Sequence, residues 1–278
     1  MALYQGIEHV AVFSTDTARL RDWYAAMLDM KPVLDNGAGN YFMLMADGSL
    51  IELSPTTQGA RSARPHMKDS GLRHIALSVD GNDFGAAVHR LVEAGVEAVG
   101  DSPRQFPDGM ATFHFRDPDG NILHLISRPR RLSLGVAPQL SGAPVNTLVQ
   151  GIEHTCIMAR NPEALRQWYI DALGFQLIVR DDGHGTAFVL GADGRSIIEF
   201  IQAEADAGID PYKAAGIRHI AIRVSAAEAA TAAARLKPMG VEILEDYVAR
   251  PDGVHLFFFR DPEGNVLHLV GRTDPLLT

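Results

Sequence analysis

Residues 6–28, GIEHVAVFSTDTARLRDWYAAML, return later in the chain as residues 151–173, GIEHTCIMARNPEALRQWYIDAL. Two further pairs of stretches repeat in the same order: GLRHIALSV (71–79) with GIRHIAIRV (216–224), and FRDPDGNILHLI (115–126) with FRDPEGNVLHLV (259–270). The nearly constant spacing between the copies indicates one tandem duplication that covers most of the chain. Such a repeat decides the fold, because both copies must adopt the same arrangement of elements.

Within each copy, a strand-like run leads to a helix and then to three short strand-like runs, and this cycle occurs twice. The predicted elements of the first copy are a strand at 9–13, a helix near 16–29, strands near 31–35, 40–46 and 49–54, a strand at 74–79, a helix near 82–94, and strands near 96–99, 110–116 and 121–127. The sequence therefore predicts an α+β protein made of four βαβββ modules.

A stretch rich in Pro, Gly and Ser, without clear periodicity, separates the two copies at residues 128–150. It is interpreted as a linker, so the predicted domains are residues 1–127 and residues 151–278. Domains of this size can each bury a substantial core.

The composition excludes several classes of function. A net charge of −9 provides no electrostatic footprint for nucleic acid, and no run approaches the apolar length of a membrane span. Cys156 is the only cysteine, so no intrachain disulfide can form. The N-terminus lacks the basic and apolar regions of a signal peptide, so we expect a cytoplasmic protein with a small-molecule substrate. A homodimer is left open.

Four positions of metal-ligand type are retained in both copies: His9 with His154, Glu52 with Glu199, His74 with His219, and His124 with His268. Three imidazoles and one carboxylate suit Fe(II), Mn(II), Co(II), Ni(II) or Zn(II). The alternative interpretation is a set of core histidines satisfied by hydrogen bonds. Retention of all four positions in both copies favours a divalent metal.

The four βαβββ modules, the histidine of the first strand and the DPDG and DPEG hairpins (117–120 and 261–264) resemble the vicinal oxygen chelate superfamily. That group includes glyoxalase I, bleomycin-binding proteins, fosfomycin-resistance proteins and extradiol dioxygenases. The resemblance implies that modules pair into two curled mixed sheets, with metal ligands on the first and last strands of the modules. The family usually has glutamate in the last strand, where this chain has His124 and His268.

The resemblance leaves the pairing of modules open. Pairing within each copy would give one site from His9, Glu52, His74 and His124, and another from His154, Glu199, His219 and His268. Pairing across the duplication would instead combine His9 and Glu52 with His219 and His268.

The function that the resemblance implies is a metal-dependent isomerase or lyase of the glyoxalase type. Its small substrate would chelate the metal through vicinal oxygens, and His124 or His268 would act as the base. An extradiol-type ring-cleaving dioxygenase, using Fe(II) and O2, is the alternative. A non-catalytic binding or resistance protein is a third hypothesis, which predicts lost ligands, and none is lost here.

One histidine breaks the repeat. His114 lies ten residues before His124, and its counterpart in the second copy is Phe258. His114 is interpreted either as an ordinary strand residue or as an additional acid or base beside one of the two sites.

Overall fold

The computed structural model describes all residues except 1, 57–64, 136–139, 141, 182–184, 209, 213 and 277–278. Its elements confirm the predicted order of strand, helix and three strands, repeated four times. Module 1 comprises β1 (Gly6–Ser14), α1 (Thr17–Leu28), β2 (Lys31–Asp35), β3 (Tyr41–Leu44) and β4 (Leu50–Pro55). Module 2 comprises β5 (Gly71–Val79), α2 (Phe84–Glu93), β6 (Arg104–Gln105), β7 (Ala111–Arg116) and β8 (Ile122–Ser127).

The second half of the chain repeats these two modules. Module 3 comprises β9 (Val149–Ala159), α3 (Pro162–Leu173), β10 (Gln176–Asp181), β11 (Thr186–Leu190) and β12 (Ile197–Gln202). Module 4 comprises β13 (Gly216–Arg223), α4 (Ala229–Leu236), β14 (Glu242–Ala249), β15 (Val254–Arg260) and β16 (Val266–Arg272). Short 3₁₀ turns at Ala226–Glu228 and Lys237–Met239 flank α4.

The predicted strand near residues 96–99 is wrong. Ala98 forms only an isolated bridge to Phe115, and the strand in this place, β6, is two residues long. Gly100 has φ +63°, which ends the extended conformation after Val99, and Pro103 has no N–H to donate to a ladder. Module 4 has neither residue at the matched positions, and β14 extends over eight residues.

The strands form two curled, mixed sheets of eight strands each. The first sheet has the order β14-β15-β16-β13-β1-β4-β3-β2, and the second has the order β10-β11-β12-β9-β5-β8-β7-β6. Module 1 therefore pairs with module 4, and module 2 pairs with module 3. The antiparallel junctions are β1 with β13 and β5 with β9. The sheets thus cross the predicted division between residues 1–127 and 151–278, because the modules of one half lie in different sheets.

The two large hydrophobic cores, in contrast, follow the halves of the chain. One core packs α1 and α2 against the helix-facing side chains of modules 1 and 2, including Val10 and Ile75. The other packs α3 and α4 against modules 3 and 4, including Ile157 and Ile220. Each half is therefore held together by its core, and the two halves are joined by shared sheets.

A hydrogen bond between a tyrosine and an aspartate links the two modules of each half. The Tyr24 hydroxyl of α1 donates to Asp117 Oδ2 at 2.8 Å, and the Tyr169 hydroxyl of α3 donates to Asp261 Oδ2 at 3.0 Å. Each aspartate also accepts from the backbone and the side chain of the asparagine that follows it in the hairpin. Burial raises the pKa of both aspartates to about 6. The DPDG and DPEG hairpins are therefore anchor points of the core as well as tight turns.

The helices are short. The longest, α1 and α3, have 12 residues each, and within the described ranges no helix has both the length and the apolar composition to cross a bilayer.

Candidate metal centres

The sheets gather the eight predicted ligands into two groups of four. The first centre contains His9, Glu52, His219 and His268, and the second centre contains His74, His124, His154 and Glu199. Each centre thus takes two ligands from each half of the chain. The grouping is the one that pairing across the duplication implies, so the grouping within each copy is wrong.

Strand register explains why the ligands converge. In the first sheet, Ala221 is the pairing partner of both His9 and His268, and Ala11 is the partner of the other two ligands. Ligands on alternate positions of neighbouring strands share one face of a sheet. The small alanine side chains between them leave the space into which the longer side chains turn. Ala76 and Cys156 hold the corresponding positions in the second sheet.

The first centre has the spacing of a metal site. Nε2 of His9 lies 3.1 Å from Oε2 of Glu52 and 3.4 Å from Nε2 of both His219 and His268. Two ligand atoms about 2.1 Å from a shared ion, at angles between 90° and 109°, lie about 3.0–3.4 Å apart. The four donor atoms are therefore placed as ligands of one ion would be.

The second centre repeats this spacing. Nε2 of His74 lies 3.2 Å from Nε2 of His154, and Oε2 of Glu199 lies 3.4 Å and 3.2 Å from these two atoms. A nitrogen of His124 lies within 4.8 Å of its counterparts on His74 and His154. All four side chains are buried.

Unpaired nitrogens argue against ordinary core histidines. Both ring nitrogens of His124 and Nδ1 of His219 and His268 are buried without a hydrogen-bond partner in the described part of the chain. A buried polar atom without a partner costs about 1–3 kcal/mol. Nitrogens that face one another at 3.2–3.4 Å also cannot all carry protons. The residues present therefore fit a divalent metal better than a hydrogen-bonded core.

In each centre without metal, the positive charge lies on one protonated histidine. Burial opposes protonation of His9, but the Glu52 and Glu8 carboxylates raise its pKa to about 9. Burial likewise opposes protonation of His154, and Glu199 and Glu153 raise its pKa to about 9. Burial keeps the pKa of His124 and His268 well below the ordinary value. Because ligands bind metal in their deprotonated form, metal binding to either centre must release a proton.

A second pair of carboxylates, which the sequence analysis did not single out, supports these two histidines. Glu8 Oε2 lies 3.4 Å from Nδ1 of His9, and Glu153 Oε2 contacts Nδ1 of His154. Adjacent strand residues normally point to opposite faces. Here the register skips Glu8 and Glu153, so each is the extra residue of a β-bulge and can reach its neighbour. The repeated GIEH tetrapeptide was the sequence signal for them.

Each of these carboxylates is held from the opposite module by an arginine. Nε of Arg272 lies 2.7 Å from Glu8 Oε1, and Nε of Arg128 lies 2.5 Å from Glu153 Oε1. Burial would raise the pKa of Glu8, but His9 and Arg272 lower it to about 2. A carboxylate on the far nitrogen of a metal-binding histidine fixes the tautomer and the ring orientation. His154, which is hydrogen-bonded to Glu153, is therefore the most firmly oriented of the candidate ligands, whereas His9 Nδ1 faces Glu8 Oε2 at 3.4 Å without a hydrogen bond.

The position of His114 distinguishes the centres. His114 is paired directly with His124, with ring centroids 4.3 Å apart, and Phe258 is paired in the same way with His268, at 4.4 Å. Burial, together with the nearby His74, lowers the pKa of His114 to about 3. The second centre thus has a neutral fourth imidazole where the first has a phenyl ring.

The buried thiol of Cys156 is a further difference. It lies within 4.8 Å of donor atoms of His74 and Glu199, and its counterpart in the first centre is Ala11. Burial raises the pKa of the thiol well above the ordinary value, so the sulfur is protonated beside Glu199.

Comparison with known families agrees with this architecture. The sequence profile of the Glyoxalase/Bleomycin resistance protein/Dioxygenase superfamily matches residues 6–125 and 151–269. The chain belongs to this superfamily. Metallothiol transferase FosB from Shouchella clausii (strain KSM-K16) is 24% identical over 123 residues, which cover 44% of this chain and 80% of that protein.

Solved structures share the fold of nearly the whole chain. A putative dioxygenase from Bacillus subtilis subsp. subtilis str. 168 superposes with a TM-score of 0.73 at 15% identity, covering 99% of this chain and 88% of its own. Glyoxalase I from Zea mays superposes with a TM-score of 0.66 at 16% identity, covering 96% of this chain and 92% of its own. At these identities the likeness shows the fold, and the chemistry must be argued from the two centres.

Proposed function

We propose that this superfamily member is a metal-dependent enzyme of the glyoxalase type, an isomerase or lyase. Its substrate is a small molecule that chelates a divalent ion through two vicinal oxygens. The observation that supports this most directly is the convergence of three imidazoles and one carboxylate in each centre. In the first centre, Nε2 of His9 lies 3.1–3.4 Å from a donor atom of each of the other three residues. Such a donor set suits Fe(II), Mn(II), Co(II), Ni(II) or Zn(II).

The ligands would leave room for a chelating substrate. Four protein donors would leave up to two positions of a six-coordinate ion for two substrate oxygens. Bound there, a divalent ion supplies Lewis-acid polarisation and stabilises negative charge that develops on those oxygens. Proton transfer or bond cleavage beside the oxygens needs no further position for O2, which is why this hypothesis is preferred to ring cleavage.

His124 and His268 are the proposed proton acceptors. Neither has a carboxylate within contact distance of its Nδ1, and that nitrogen lacks a partner in the described part of the chain. Nδ1 of His9 and Nδ1 of His154, in contrast, each face a carboxylate, Glu8 and Glu153 respectively. Burial keeps His124 and His268 neutral, so each has a single ring nitrogen with a free lone pair. That nitrogen would hold the metal, and it would accept a proton from the substrate when the histidine detaches from the ion.

An aromatic side chain packs against one histidine of each centre. Phe42 meets the ring of His9 edge-on at 5.2 Å, and Phe188 meets the ring of His154 in the same way at 5.5 Å. Apolar rings next to the ligand histidines lower the local polarity, which strengthens charge interactions between the ligands and an ion.

The test is to load the metal-free protein separately with each of the five ions and incubate it in D2O with a panel of α-hydroxycarbonyl compounds, their thiol adducts and catechols. Proton NMR follows exchange at the carbon beside the chelating oxygens, and an oxygen electrode follows O2. We expect exchange or elimination without O2 consumption. Stoichiometric uptake of O2 with a catechol would refute the proposal in favour of the extradiol dioxygenase. Metal binding without turnover of any compound would favour the binding protein.

A further inference from the structure

An arginine lies beside a ligand histidine of the first centre. Arg218 directly precedes His219 on β13, so regular strand alternation would point its side chain away from the face that carries the ligands. The register between β1 and β13 skips this residue, because Ala11 pairs with His219 and Val12 pairs with Ile217. Arg218 is therefore the extra residue of a β-bulge, and its side chain can turn to the ligand-bearing face.

Two aromatic rings contact the guanidinium of Arg218 and place it on this face. Its carbon Cζ lies 4.0 Å from the ring centroid of Phe13 and 4.2 Å from that of Tyr212. The ring of Phe13 in turn meets the ring of His219, with centroids 6.1 Å apart. The hydroxyl of Tyr212 donates to the carboxylate of Glu245, which holds the second ring in position. The guanidinium therefore lies next to the first centre.

The donors of Arg218 are not used by the rest of the chain. No carboxylate among the described residues forms an ion pair with it, and its Nε is buried without a hydrogen-bond partner there. Contacts with aromatic rings replace only part of the hydration that a guanidinium loses on burial. Nε and one Nη form the fork that donates two parallel hydrogen bonds to a carboxylate or a phosphoryl group. Such an anion would satisfy the unpaired donor.

The matched arginine of the other copy, Arg73, shows what a purely structural role requires. The register between β5 and β9 skips it in the same way. Its Nε, however, donates to the carbonyl of Asp69 at 3.0 Å, and an Nη donates to the carbonyl of Ser70 at 2.5 Å. Arg73 is also only 3% exposed. An arginine that serves the fold alone is thus bonded to its own loop, and Arg218 is not bonded in this way.

We propose that Arg218 is a substrate-binding residue of the first centre, where its guanidinium binds an anionic oxygen group, a carboxylate or a phosphoryl group, on a substituent of the chelating substrate. This inference rests on the proposed function, because it assumes a substrate that chelates a metal in that centre. It adds the substrate class: the molecule has two vicinal oxygens at one end and a negative charge at the other.

The test measures binding to the isolated first centre, so turnover has no influence on it. His74→Ala removes a ligand of the second centre and leaves the first intact, and this parent variant is loaded with zinc. Calorimetry gives the affinities of 3,4-dihydroxyphenylacetate and 3,4-dihydroxyphenylacetamide, which share the chelating oxygens and the size and differ in charge. The shorter pair, 3,4-dihydroxybenzoate and 3,4-dihydroxybenzamide, covers a second distance from the metal. A phosphonate in place of the acetate distinguishes a phosphoryl group from a carboxylate, according to which binds more tightly.

Arg218→Gln in this parent should lower the anion-to-amide affinity ratio about tenfold or more, as is typical of a lost charge-assisted hydrogen bond. Arg218→Lys keeps the charge without the fork and should lower the ratio less. Tyr212→Met introduces the residue of the other copy, Met67, so it should fold and should also lower the ratio. Arg223→Ser is the matched control, since Arg223 lies exposed on the same face at the far end of β13 and its charge is screened by solvent. The ratio should stay near that of the parent.

A ratio that Arg218→Gln leaves unchanged for both pairs of compounds would overturn the inference, as would an equal fall in Arg223→Ser. Equal weakening of the anion and the amide would do the same, because it would show that Arg218 only shapes the site. If Arg218→Gln does not fold, unchanged ratios in Arg218→Lys and Tyr212→Met overturn the inference instead. All of these outcomes leave the proposed function intact. Absence of bound zinc from the parent would overturn both, and the metal content, measured first, separates the two cases.

Discussion

The two metal centres have the same ligands and different surroundings. Each is built from the same four positions of the repeat, with a carboxylate behind one histidine and an arginine behind that carboxylate. Next to these ligands, Phe258 and Ala11 of the first centre correspond to His114 and Cys156 of the second. The duplication therefore keeps the residues that would hold a metal, whereas two of the residues next to them differ.

The largest expected effect is the loss of metal from one centre. His74→Ala should lower the metal content from about two equivalents per chain to about one, because loss of one of four ligands weakens binding by orders of magnitude. His219→Ala should do the same in the other centre. Elemental analysis after dialysis measures this, and unchanged content in both variants would refute the ligand assignment.

The proposed proton acceptors should affect turnover more than metal content. His124→Ala should remove most of the activity of the second centre, and His268→Ala most of that of the first, each measured with the other centre inactivated. His124→Glu should retain metal and change the pH dependence of the rate, since a carboxyl group replaces an imidazole. Full activity in His124→Ala would assign the proton transfer to another residue.

Removing the charge of Glu8 or Glu153 should weaken metal binding less than removing a ligand does. Glu153→Gln and Glu8→Gln should each weaken metal binding about 10- to 100-fold, as is typical for partners of ligand histidines. The effect should be larger for Glu153, which contacts its histidine more closely than Glu8 does, at 3.4 Å. Competition with a coloured chelator gives both affinities. Equal affinity in wild type and both variants would mean that the bulges have no influence on the metal.

The smallest expected effect concerns the cores. Tyr24→Phe and Tyr169→Phe should each lower the free energy of unfolding by about 1–3 kcal/mol at pH 8, because each removes a hydrogen bond to a buried carboxylate. The pKa of Asp117 is raised by burial from 3.8 to about 6 in the folded protein. Stability from this shift is present below pH 3.8 and is lost as the pH rises through about 6.

Below about pH 6 Asp117 is protonated, and the hydrogen bond from Tyr24 no longer reaches a charged acceptor. The difference between wild type and Tyr24→Phe should therefore shrink between pH 8 and pH 5. Denaturant unfolding of wild type and Tyr24→Phe at each pH gives the difference in their free energies of unfolding. Contributions from other titrating groups are common to both proteins and cancel in that difference. Tyr169→Phe removes the equivalent hydrogen bond to Asp261 and should show the same pH dependence. If the stability difference from wild type were independent of pH in both variants, the account would be contradicted.

Much of this architecture could be predicted from the sequence, because the repeat and the turn tetrapeptides are local patterns. The eight candidate ligands stood out because they form four matched pairs, with the same residue type at the same place in both copies. The pairing of modules could not be predicted, because it depends on which edge strands meet, β1 with β13 or β1 with β5, and the two halves have almost the same pattern of strands. Glu8 and Glu153 were missed because strand alternation predicts that they point away from the face that carries the ligands. The β-bulge at each residue lets its carboxylate reach the neighbouring histidine.

The central claim is that each metal centre combines ligands from both halves of the chain. His9→Ala with His268→Ala removes two ligands of one centre, whereas His9→Ala with His74→Ala removes one ligand from each. Elemental analysis of these two double variants should find about one metal per chain in the first and almost none in the second. The opposite pattern would show that metals are bound within each half and would contradict the account.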